Sequence, residues 1–191
     1  MHSSTILLVT SFFSVAAATP VEPLIVSGET AERGQFPWIV RAAGFTGSCT
    51  GSLIHPDIVL TAAHCQGVWT DGVFIGSTRF NGNDGLYSAV TNQYRHPGYD
   101  TDRELIGNDD VMVLKLPRPI YDVIPVQLNA DNNRPSGDDR ACTAVGFGLT
   151  SFEGSPPSLL QFAHLEYVPP DVCEFWADFA EVVDFDRGIL W

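Results

Sequence analysis

Leu60-Thr61-Ala62-Ala63-His64-Cys65 decides the reading of this 191-residue chain. A strand-like run, Ile58 to Thr61, delivers a histidine just beyond its end. Ala62 and Ala63 leave room around the imidazole, and the cysteine that follows can anchor the loop. A general base must stand within hydrogen-bond reach of its nucleophile, so a rigid mount for the ring has a chemical purpose.

Downstream lies the natural partner of such a histidine. Asp110 opens the apolar run Val111-Met112-Val113-Leu114-Lys115-Leu116, where a carboxylate can be buried at a strand end. There it would accept the ring N–H of His64, fix the tautomer and stabilise the imidazolium. Asp109 is the rival. Asp110 is preferred because the apolar residues follow it directly.

The rest of the chain reads as all-β, with short apolar or alternating runs broken by turn residues. Strands are expected over 38–43, 48–54, 58–61, 72–75, 88–94, 111–116, 141–147 and 159–168. Gly44, His55-Pro56-Asp57, Asn81-Gly82-Asn83-Asp84-Gly85 and Pro97-Gly98 supply turns. The polar run 129–140 separates two groups of strands. From Asp171 the pattern changes to helical spacing, with Val172, Phe175, Trp176, Phe179, Val182 and Val183 on one face. Asp171 suits an N-cap, and Glu174 completes a capping box.

Composition sets the compartment and excludes several functions. Ten Lys+Arg against 23 Asp+Glu give a net charge of −13, which repels nucleic acid and anionic membranes. Residues 1–18 read as a signal peptide: a short apolar core from Ile6 to Val15 precedes Ala16-Ala17-Ala18. Residues 19–24 form a short propeptide. No stretch is long enough to span a membrane as a helix, so a secreted, extracellular protein is expected. Cys49, Cys65, Cys142 and Cys173 allow three pairings in such a chain, and spacing does not choose among them. No CxxC or Cys/His cluster suggests zinc. The 81–85 loop lacks a pair of acidic calcium ligands, so neither metal nor cofactor is expected.

The ordered motifs identify a family resemblance. Ile25-Val26-Ser27-Gly28, Gln35-Phe36-Pro37-Trp38, Cys49 to Ile54, Leu60 to Cys65, His96-Pro97-Gly98-Tyr99, Asp110 to Leu116 and Val145-Gly146-Phe147-Gly148 resemble the chymotrypsin/trypsin-like serine proteases, peptidase family S1, in the family's order. The similarity covers about residues 25–173. It implies a double β-barrel fold, complete over residues 25–128 and partial over 129–191, with a helical tail. It implies a secreted zymogen that hydrolyses peptide bonds, with His64 as general base and Asp110 orienting it. It also implies a Cys49–Cys65 disulfide bracketing His64, and Ile25 as the new N-terminus after activation.

Departures from the family pattern shape the expected activity. The serine nucleophile, in a Gly-Asp-Ser-Gly-Gly setting, is absent from these residues. So are the oxyanion hole, the specificity pocket and the aspartate that receives the activation N-terminus. Ser155 and Ser158 lie among Gly154, Pro156 and Pro157 and make poor substitutes. Leu24, not a basic residue, precedes Ile25. Cys142 and Cys173 match cysteines whose family partners are missing, so they stay free, pair together or bridge chains; otherwise a monomer is expected. Peptidase activity is therefore not expected of the chain as it stands. The alternative is a pseudoprotease, acting as inhibitor, decoy or regulator by binding a protein. A half-built second barrel that leaves strand edges unpaired is a third outcome.

Overall fold

The computed structural model describes residues 28–43, 49–99, 109–130, 141–148 and 155–166. The leader, Ile25, Cys173 and the apolar tail therefore lie outside the described residues. Ten strands follow in chain order: β1 (Glu29–Thr30), β2 (Ile39–Ala42), β3 (Thr50–His55), β4 (Ile58–Thr61), β5 (Val73–Ile75), β6 (Leu86–Ser88), β7 (Asn92–Arg95), β8 (Met112–Lys115), β9 (Ala141–Gly146) and β10 (Gln161–Glu166). A 3-10 turn, Ala63–Cys65, follows β4. Seven strands form one antiparallel sheet in the order β6-β5-β2-β3-β4-β8-β7, and β1-β10-β9 form a second.

The single strand expected over 88–94 is two. Ser88 pairs with Val73 of β5, whereas Asn92 pairs with Lys115 of β8. Half-buried Val90 turns into the core between them. This break also shows that the sheet is rolled. β6 and β7 are its opposite edges, and in a flat sheet they would lie about 29 Å apart. Only Ala89, Val90 and Thr91 connect them, a reach of at most about 14 Å. The edges must therefore curl toward each other around a shared interior. Two smaller differences are that His55 belongs to β3 rather than to the turn, and that Glu29–Thr30 forms a strand with no alternating pattern to announce it.

Val40, Leu53, Val59, Trp69, Val73, Ile75, Met112, Leu114 and Leu116 fill that interior. Alternation explains the assignment: Met112 and Leu114 of β8 point in, whereas Val113 and Lys115 are half-exposed. β2 is buried on both faces. Val40 and Ala42 enter the barrel, and Ile39 enters a second cluster with Ala31, Phe147, Leu160 and Phe162. Arg41, on the same face as Ile39, stacks its guanidinium 3.8 Å from the Phe80 ring centroid and donates to Ala42 O. Burial pushes its pKa below the ordinary value. β2 is thus the wall shared by both sheets, and the site lies beside it.

The Asn81–Gly85 turn is organised by Asp84. Its carboxylate accepts the Ser77 and Thr78 hydroxyls at 2.5 Å each and the Thr78 and Arg79 N–H groups at 3.2 Å, and it pairs with Arg33. Burial alone would raise the Asp84 pKa; the bonds from Ser77 and Thr78 outweigh it and hold the value at about 2, against an ordinary 3.8. A carboxylate held low stabilises the fold fully above its unfolded pKa and loses that contribution as pH falls through the folded value. Asp84→Asn is therefore expected to destabilise the chain at neutral pH, with the difference from the parent closing between about pH 4 and pH 2. Urea midpoints measured across that range check this; a difference independent of pH would refute the assignment.

Candidate active site

Strand β4 ends at Thr61, whose hydroxyl donates to Thr50 O of β3 at 3.1 Å. Ala62 is still extended, at φ −82° and ψ 148°, and the chain then tightens into the Ala63–Cys65 turn. Cys65 N–H and Gln66 N–H bond back to Ala62 O and Ala63 O. Cys65 is bonded to Cys49, across a sequence separation of 16. The expected mount is therefore present: a strand end, a hydrogen-bonded turn and a disulfide fix the backbone around His64.

Asp110 engages His64 twice. Its Oδ1 accepts the His64 backbone N–H at 2.8 Å, and its Oδ2 lies 2.7 Å from His64 Nδ1. The Asp110 side chain is 8% exposed and the His64 ring 52%. The buried carboxylate thus sits behind an accessible imidazole. With Nδ1–H donated to the carboxylate, Nε2 is left as the proton acceptor on the open side. Tyr99 packs close by, and its pKa is raised by burial and then by the charge of Asp110. Asp109 turns elsewhere, toward His96 at 3.7 Å.

His64 and Asp110 line a cavity of about 450 Å³ between the two sheets. Ile39 of β2, Leu60 of β4, Val111 and Val145 of β9 give it apolar walls, and Ser52 adds a hydroxyl. Sequence reading did not foresee these walls, because they come from segments far apart in the chain and carry no motif. Ser52 makes no hydrogen bond to His64 among the described residues. Ser158 lies elsewhere, its carbonyl accepting the Phe80 N–H at 2.9 Å. Among the described residues, exposed Cys142 is unpaired; it lies on β9, opposite Leu165. Among the described residues, Cys49, His64 and Cys65 group closely enough to suggest metal ligands. Both sulfurs are spent on each other in the disulfide, so this group offers no thiolate to an ion.

Comparisons with known proteins agree with this geometry. A family model for trypsin matches residues 25–182. The match extends past Cys173, beyond the residues 25–173 over which the motifs carry the resemblance. The chain is 33% identical over 156 residues to a trypsin of Saccharopolyspora erythraea, covering 78% of this chain and 66% of that protein. It is 30% identical over 183 residues to kallikrein-1 of Mus musculus, covering 87% and 68%. The solved structure of neuropsin, a serine protease expressed in the limbic system of mouse brain, shares the fold with a TM-score of 0.69 at 24% identity, over 78% of this chain and 67% of that one. The chain thus spans about two thirds of the length of these relatives. Within that span it belongs to the trypsin family of chymotrypsin-like serine proteases, peptidase family S1.

Proposed function

We propose that residues 25–128 form the base-bearing barrel of a secreted serine endopeptidase site, with residues 129–191 contributing part of the second. His64 would take the proton of a serine hydroxyl as it attacks a peptide carbonyl. Asp110 would hold the imidazole in the required tautomer and stabilise the imidazolium. The observation that carries this reading is that a buried Asp110 carboxylate accepts from the His64 backbone N–H and, behind an exposed ring, pairs with its Nδ1. The apolar cavity beside the pair would exclude water from the reacting groups. The Cys49–Cys65 disulfide and the apolar leader with its small-residue cleavage pattern support an extracellular setting. Protein or peptide substrates follow from the family.

None of the serines in the 191 residues stands in a Gly-Asp-Ser-Gly-Gly setting. The 191-residue chain alone is therefore expected to leave peptide esters intact and to take no label from a fluorophosphonate probe. In a subtilisin series, loss of the serine alone costs about 2 × 10⁶ in kcat, and here the oxyanion donors beside it are missing as well. Labelling that depends on His64 would overturn this and reveal a serine placed on the base. A second reading is a pseudoprotease that acts by binding a protein through the barrel surface. It requires that the purified chain return a reproducible partner whose capture survives His64→Ala.

A further inference from the structure

The acid that sequence reading set aside has a place of its own. Asp109 is the non-glycine residue with positive φ among the described residues, at 60°. That left-handed conformation is costly for most L-residues and persists only where the surroundings impose it. Its carbonyl accepts the Val111 N–H at 2.7 Å, so the chain folds tightly around Asp110. The turn at 96–99 packs against this bend. His96 N–H bonds to Val111 O at 2.8 Å, and Tyr99 N–H bonds back to His96 O at 3.1 Å. Gly98 N–H donates to His96 Nδ1 at 3.2 Å, and that nitrogen stands 3.7 Å from Asp109 Oδ1. Gly98 approaches the Asp109 carboxylate so closely that a Cβ there would sit 2.4 Å from Oδ2 and 3.3 Å from His96 Nδ1. A larger residue there would push the Asp109 carboxylate away from its present place.

We infer that Asp109 is a positioning residue for Asp110: held left-handed by the His96–Tyr99 turn, it sets the tight bend that aims the Asp110 carboxylate at His64. This rests on the reading of Asp110 as the acid that orients His64, and it adds the device that places the acid. The bend directs Asp110 inward to the ring while Asp109 faces the turn, which explains two adjacent aspartates with different surroundings, 8% and 24% exposed. Asparagine tolerates the left-handed region; alanine does not.

The test reads the His64 backbone amide, whose acceptor is Asp110 Oδ1. Its hydrogen-exchange rate in the native 191-residue chain reports how often the Asp110 carboxylate leaves. Asp109→Ala and Gly98→Ala are each expected to speed that exchange by a factor on the order of ten, with Val59 and Leu60 of β4 unchanged. Asp109→Asn is expected to keep most of the protection. Unchanged His64 exchange in Asp109→Ala overturns the inference, as does an Asp109→Asn variant that loses as much as the alanine. If Gly98→Ala fails to fold, the Asp109 pair decides alone. No substrate is involved, so an inactive chain leaves the measurement intact and the two proposals fail separately.

Discussion

Asp110→Asn is expected to invert the tautomer of His64 and remove its capacity to act as a base. The two groups facing the Asp110 carboxylate are both donors: the His64 backbone N–H at 2.8 Å and the ring Nδ1–H at 2.7 Å. A carboxylate accepts from both. A carboxamide has one accepting oxygen and one donating NH₂. The backbone N–H cannot become an acceptor, so the amide oxygen must stay with it. The NH₂ then faces Nδ1, which is relieved of repulsion only when its proton moves to Nε2. The nitrogen on the cavity side thereby becomes a donor, and it cannot take a proton from a nucleophile. Nitrogen-15 shifts of the neutral ring distinguish the two tautomers directly, even in a chain without turnover. A His64 ring still protonated at Nδ1 in the asparagine variant would refute the arrangement. In a form of the protein that carries the nucleophile, kcat is expected to fall by about 10⁴, the scale known for the same exchange in the family's reference triad.

The His64 turn was legible in the sequence because its signals are local. Strand, small residues, histidine and cysteine are contiguous from Ile58 to Cys65, and the structure keeps them as one strand end and one turn. Asp110 was legible for a similar reason: the apolar run behind it announces β8. The division of labour between Asp109 and Asp110 was partly hidden, because it depends on a bend held by residues 96–99, whose contact with residue 109 has no sequence period. The cavity walls were hidden for the same reason, Ile39 and Val145 being brought to His64 only by tertiary packing. The break at Ala89–Thr91 was hidden because strand-like residues run through it. Only the change of partner, from β5 to β8, separates β6 from β7.

Trp69 tests the packing that makes the site rigid. Among the described residues it is the largest fully buried side chain, at 0% exposure, and it belongs to the same interior cluster as Cys65, Val73 and Leu114. It follows the His64 turn closely, with Val68 N–H bonding to Cys65 O and Gly72 N–H to Trp69 O. Trp69→Ala would open a void next to the disulfide, and such truncations cost about 3–5 kcal/mol. At this chain length that corresponds to a fall in Tm of roughly 6–20 °C. The indole N–H, however, is buried and finds no acceptor among the described residues. A buried donor left unmatched is a penalty on the folded state, and an apolar ring that lacks it relieves that penalty, which offsets part of the volume lost. Trp69→Phe is therefore expected to lose only a minor fraction of what Trp69→Ala loses. Thermal melts of the two variants separate packing from hydrogen bonding. If phenylalanine is as costly as alanine, the N–H has a partner that matters. If both are harmless, the interior beside His64 is not close-packed, and the mount must rely on the disulfide and the hydrogen bonds of the turn.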